Sequence, residues 1–198
     1  VQTKVRVVYI KGLTQCASIA PNNFWHCFIG HSLATLFLIK PYMHTLTSVE
    51  FQDARCAVFS KQILAFLFNG RVEFFFDIKQ PHTEAKVLSF DEHRYEFMRG
   101  MIQSDVFVPY IDHVLLRTVL QHKPQRKLSI LFNNRSVGRR LLNVTDYIDG
   151  INKRSVKNSI VDTGKLSISE QFAMFKDVNV YIFFHGAQSA FVTTLPPD

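Results

Sequence analysis

Apolar residues in this chain recur with two alternating periods, and the switching between them predicts an α/β protein. Lys4 to Ile10 alternates charge with Val and Tyr, as a first or edge strand does. Asn22 and Asn23 are N-cap residues for a helix from Phe24 to about Ile39, closed by Pro41. Phe28, Leu33, Leu36 and Phe37 approximate its apolar side, while His26 and Gly30, four apart, share a face. Ala54 to Phe59 reads as a buried strand, Gln62 to Phe68 as a helix, Asn69-Gly70 as a turn and Arg71 to Ile78 as another strand. A short strand is expected around Val87 to Phe90, a helix over Asp91 to Met101, and a second helix over Val108 to Gln121. The polar, basic, proline-containing run His122-Lys123-Pro124-Gln125-Arg126 then marks a boundary, giving halves at 1–122 and 126–198.

The second half is the more regular. A strand at 127–132, a helix at 144–151, a strand at 156–161, a helix at 168–176 and a strand at 178–184 follow one another. That βαβαβ order predicts a parallel sheet with right-handed crossovers. Ser167 with Glu170 three residues on is a capping-box pattern, so Glu170 reads as a helix cap before it reads as an acid. The last strand runs into His185-Gly186-Ala187-Gln188. A small-residue turn at the carboxyl end of a buried α/β strand is where open sheets bind ligands. A helix opening after Gln188 would face its free N–H groups toward an anion such as a diphosphate. The loop after the strand at 127–132 carries Arg135 and Arg139, which can hold phosphate oxygens through bidentate charge-assisted bonds; Asn143 or Thr145 can cap the helix beyond it.

Composition narrows this picture without choosing a ligand. The 198 residues fit one domain or two small ones, and 47% apolar residues with 19 Phe supply a proper core. A formal charge of +7 favours anionic partners. A nucleic-acid role would want an Arg/Lys-rich recognition helix or an aromatic-basic repeat, and neither is present. Cys16, Cys27 and Cys56 lack metal-like spacing, which leaves one disulfide with one free thiol open. There is no signal peptide and no run of eighteen apolar residues. Asn134-Arg135-Ser136 and Asn143-Val144-Thr145 are glycosylation sequons. Hydrolase, metalloprotease and Walker motifs are missing, as is Asp-x-Asp, the usual divalent-metal clamp for a nucleotide diphosphate. A metal-free mode fits these residues better, with arginines and a helix N-terminus neutralising a leaving diphosphate and no cofactor called for.

Three stretches carry a resemblance. Glu170, Gln171, Phe175, Val178, His185, Gly186, Ala187, Pro196 and Pro197 follow the C-terminal signature of glycosyltransferase family 61. Gln188 is similar to the branch that adds N-acetylglucosamine to O-mannose, where many other members carry Gly. Asn23 and His26 match the family's Asn-aromatic-His helix start, and the strand, Arg-Ser turn and Asn143 match its central motif. The similarity covers roughly 22–40 and 126–197; residues 41–120 do not match by motif. One position departs: the family's Asp, separated from the His by three residues, falls on Gly30, with His31 beside it.

The resemblance implies a GT-B-like α/β fold of two Rossmann-like parallel-sheet halves, shortened at both ends. The first half (1–122) is then the acceptor side and the second (126–198) the donor-nucleotide side. It implies an inverting transfer of a sugar, N-acetylglucosamine or xylose, from a UDP-sugar to a hydroxyl of a protein or glycan. Arg135, Arg139, Asn143, His185, Gly186, Ala187 and Gln188 would bind the donor, while His26 and His31 would be the catalytic candidates on the acceptor side. No metal and no nucleic acid enter. Eukaryotic relatives work in the Golgi or endoplasmic reticulum lumen, often on an N-terminal anchor, so an anchor outside these residues is expected. Gly30 in place of the acid also supports a second reading: a catalytically inactive homologue that binds a nucleotide, a glycan or a partner protein.

Overall fold

The computed structural model describes residues 4–13, 26–102, 128–136, 138, 140, 142–152, 157–175 and 178–184. The chain forms two compact units, Val1–Phe107 and Val108–Asp198. The boundary expected at 122–126 and the helix expected over Val108–Gln121 lie outside the described residues.

In the first unit, β1 (Val7–Lys11) is an inner strand bonded on both sides, which is why Val8, Tyr9 and Ile10 are all buried. A π-helical segment, His26–Leu33, continues as α1 (Ala34–Ile39) and ends in a 3-10 turn, Lys40–Tyr42, that contains Pro41. Proline at 41 removes a donor and ends the helix where the sequence suggested. β2 (Ser48–Phe51), α2 (Ala57–Phe68), β3 (Glu73–Phe75), β4 (Lys86–Ser89) and α3 (Phe90–Ile102) complete the unit. All strand pairs are parallel, in the order β3-β2-β1-β4.

Two sequence expectations fail here. Ala54–Phe59 is not a strand; from Ala57 onward it belongs to α2. Ser60, Ile63, Leu64, Leu67 and Phe68 are all buried, a stripe at helical spacing that runs unbroken past the polar Lys61 and Gln62. The actual strand, β2, is four residues long and half polar, with only Val49 and Phe51 buried. The expected Arg71–Ile78 strand shrinks to β3 because Asp77 turns the chain with a left-handed φ of 63°. Asn69-Gly70 acts as the C-terminal cap of α2, with φ of 48° and 68°.

The second unit follows its expected order closely. β5 (Ser129–Asn133), α4 (Val144–Asn152), β6 (Lys157–Val161), a 3-10 turn (Thr163–Lys165), α5 (Ile168–Met174) and β7 (Val180–Phe183) build a parallel sheet ordered β6-β5-β7. β5 is buried throughout, as the centre of such a sheet must be. One face packs Ile130 and Phe132 against Val144 and Ile148 of α4. On the other face, Phe175, just past α5, meets the Tyr181 ring edge-on at 4.8 Å. The capping box forms: Glu170 N–H donates to Ser167 Oγ, and Ser167 N–H donates to Glu170 Oε2 at 2.8 Å. Ser167 Oγ also donates to Glu170 Oε2 at 2.7 Å, and this bond first, with that from Ser167 N–H, holds the Glu170 carboxyl below its usual range. No helix among the described residues is long and apolar enough to cross a membrane.

A disulfide joins Cys27 to Cys56, tying the π-helical segment to the start of α2 with a Cα–Cα distance of 5.3 Å. Cys16 lies outside the described residues. Because the bridge closes a loop of 29 residues, opening it enlarges the unfolded ensemble. Replacing both cysteines by alanine is expected to lower stability by about 2–4 kcal/mol. Urea unfolding checks this: the wild type should lose the same amount in reductant, and the double variant should be indifferent to it.

Candidate functional site

Both sheets reverse their strand order at the first strand, and that reversal defines where a ligand can enter. In the second unit the chain leaves β5 toward β6 on one side and returns to β7 on the other. The carboxyl ends of β5 and β7 therefore splay into a crevice with no crossover connection filling it. A cavity of about 370 Å³ lies there. Its walls are Phe132, Asn133 and Asn134 from the end of β5, Val144, Tyr147 and Ile151 from α4, and Ile182 to Phe184 from β7. Apolar walls with a few amides at one end suit a ligand that is part ring and part polar.

Asn133 fixes the rim. Its Nδ2 donates to Thr163 Oγ1 at 2.8 Å and to Tyr181 Oη at 2.7 Å, and its Oδ1 accepts from Thr163 N at 3.3 Å. One buried amide at the end of β5 thus ties together the turn after β6 and the Tyr181 side chain of β7. Burial pushes the Tyr181 hydroxyl up to about 12, while the Asn133 bond and the charge of Arg135 pull it the other way.

The loop beyond β5 is held from below. Asn134 N–H donates to Val161 O at 2.8 Å, which carries the β5–β6 ladder one residue past the strand. Asp162 Oδ2 then accepts from Ser136 N at 2.8 Å, and its Oδ1 caps the 3-10 turn through Gly164 N at 3.2 Å. The Ser136 bonds are the main cause holding the Asp162 carboxyl below its usual range. Arg140 Nη1 donates to Ser136 O at 3.0 Å.

Of the sequence-proposed donor residues, Arg135 directly follows the wall residue Asn134, and Asn143 is exposed in the turn ahead of α4, where its carbonyl accepts from Asp146 N at 3.2 Å. Arg139, His185, Gly186, Ala187 and Gln188 lie outside the described residues; β7 runs to Phe183, directly before the last four. Asn133, Tyr181 and Asp162 went unnoticed in the sequence. Their only sequence signal was polarity at a strand end, which any turn also shows.

In the first unit the equivalent reversal lies between β1 and β4. Gly12, just past β1, has φ of 85°, and a Cβ there would meet Asp91 Oδ2 at 2.7 Å. The left-handed φ favours glycine here, and the carboxylate of Asp91, at the start of α3, lies close beside it. His26 opens the π-helical segment, with only its backbone described. His31 does not face solvent: it is 1% exposed, with its ring 4.9 Å from Phe51 and 6.0 Å from Phe76. Neither ring nitrogen has a hydrogen-bond partner among the described residues. Burial lowers its pKa from 6.5 to about 4, so the ring is neutral at physiological pH. Gly30, next to His31, offers no side chain.

Two units with Rossmann-type strand order, one with a ligand-sized crevice at its reversal and a basic loop on the rim, are the architecture of GT-B-type transferases. The family model for Glycosyltransferase 61 matches residues 24–198, and the chain belongs to that family. No curated protein matches the sequence.

His31 gives stability a specific acid dependence. Unfolded, the ring takes up its proton near 6.5; folded, it resists until about 4. Above the unfolded value there is no penalty. As pH falls from about 6.5 to 4 the unfolded state gains relative to the folded one, by about 3 kcal/mol in total. His31→Leu is expected to remove that part of the acid limb, measured as unfolding free energy in urea between pH 7 and 4. An unchanged slope would mean that the imidazole reaches water.

Proposed function

We propose that this chain transfers a sugar, N-acetylglucosamine or xylose, from a UDP-sugar to a hydroxyl of a protein or glycan with inversion at the anomeric carbon. The observation that carries the reading is the crevice at the carboxyl ends of β5 and β7, with Arg135 beside it. The second half (126–198) is the donor side and the first (1–122) the acceptor side. The base fits the part of the cavity walled by Phe132, Tyr147 and Ile182, while Arg135, Arg139 and the His185–Gln188 turn face the diphosphate, supported by Asn143. The acceptor oxygen attacks the anomeric carbon opposite the diphosphate. The new C–O bond forms as the bond to the diphosphate breaks, and the acceptor proton passes to a base. Arginines neutralise the charge that the leaving group gains, so the reading needs no divalent metal.

His26 lines the acceptor side. His31, enclosed by Phe51 and Phe76, contributes packing there more readily than proton transfer, since a base must reach the hydroxyl it serves. The buried Cys27–Cys56 bridge favours an oxidising compartment, in keeping with a Golgi or endoplasmic reticulum lumen for a family of secretory-pathway enzymes. One observation favours a second reading, a homologue that binds donor without turning it over: Gly30 supplies no acid and His31 is sealed from solvent.

Calorimetric titration with UDP and UDP-sugars tests the donor site. Wild-type protein is expected to bind UDP, and Arg135→Ala to weaken it roughly ten- to hundredfold, the loss of one charge-assisted bond pair. No binding of any nucleotide by the wild type would sink the donor assignment. Binding with release of UDP on adding acceptor separates the transferase from the inactive homologue.

A further inference from the structure

We propose that Asp162 is a positioning residue for the donor site, its carboxylate holding the loop after β5 in the shape that presents Arg135 to a diphosphate. The inference rests on the donor-site reading above. Asp162 sits one residue beyond β6, and its two oxygens divide their work: Oδ1 binds Gly164 N at 3.2 Å and Oδ2 binds Ser136 N at 2.8 Å. The first bond fixes the carboxylate on its own 3-10 turn. The second transfers that fixity to the neighbouring loop. Arg140 grips the same residue from its other side, through Ser136 O at 3.0 Å. The peptide groups flanking Ser136 are thus held at an acceptor and a donor, one of them the peptide between Arg135 and Ser136. Behind it, Asn134 N–H is bonded to Val161 O. Arg135 is the residue between these two anchors, so its backbone direction follows from them.

The chemistry makes the role distinguishable from simple electrostatics. A carboxylate near an anion site repels the anion, so by charge alone removing Asp162 should tighten diphosphate binding. If Asp162 acts by placing Arg135, removing it should weaken binding, because an arginine that must be ordered on binding loses affinity to that ordering. The two effects have opposite signs.

UDP titration of wild type, Asp162→Ala and Asp162→Asn is the test, joined to amide hydrogen exchange at Ser136. Alanine is expected to weaken UDP at least fivefold and to speed exchange at Ser136 without moving the amides of β5 to β7. Asparagine keeps an acceptor oxygen and discards the charge, so it should recover part of the affinity and of the protection, and it serves should alanine fail to fold. Alanine binding UDP as tightly as wild type or tighter would overturn the inference and leave the donor site standing. Asparagine as weak as alanine in both readouts would overturn it too. A wild type that binds no UDP would overturn the donor reading and this inference together.

Discussion

One buried amide governs the geometry of the second unit. Asn133 sits at the end of the central strand with three hydrogen bonds, to Thr163 twice and to Tyr181 once, and all of its partners lie on neighbouring chain segments. Parallel strands are otherwise joined only by their ladders, which stop where the strands stop. At that edge a reversal of strand order leaves the ends free to splay. Asn133 limits the splay while leaving the crevice open above it. A buried amide so placed is worth keeping only when every polar atom is satisfied, since each unsatisfied one costs about 1–3 kcal/mol. Here the amide is fully used, and the loop bearing Arg135 starts from a fixed point.

The first unit solves the same topological problem with different chemistry. Its reversal, between β1 and β4, brings Gly12 against the carboxylate of Asp91 at the opening of α3. A carboxylate is stabilised at a helix start by the unpaired N–H groups there. The two reversals thus differ in sign: an acidic group at one, a basic loop at the other.

What was legible in the sequence was what local physics decides. The capping box at Ser167–Glu170, the stop at Pro41 and the turn at Asn69-Gly70 each act within four residues, and each stands in the structure as read. The βαβαβ order of the second unit was legible for a related reason: its inner strand is apolar on both faces, and its helices begin with recognisable caps. β2 was illegible because Ser48 and Glu50 dilute a strand of four residues, whose identity comes from pairing with β1 and β3. The α2 error had the opposite cause. Ala57-Val58-Phe59 has strand composition locally, and only the buried stripe continuing to Phe68 shows that it starts a helix.

The site was legible to a lesser degree, and the limit is physical. A residue able to bind a phosphate advertises itself by type, as an arginine does. A residue that places it does so through partners distant in sequence. Asp162 reaches back 26 positions to Ser136, and Asn133 reaches forward 30 and 48 positions to Thr163 and Tyr181. No window along the chain contains those pairs. An Asp or Asn at a strand end has a sufficient local explanation as a turn residue, and Asp162 does cap its own turn through Gly164. The same carboxylate performs the local and the distant role at once. His31 is the converse case, where a reactive residue type beside a family motif suggested chemistry and the fold buries it against two phenylalanines. Residue type is informative about contact with a ligand only where the fold leaves the group reachable, and reach is a property of tertiary packing.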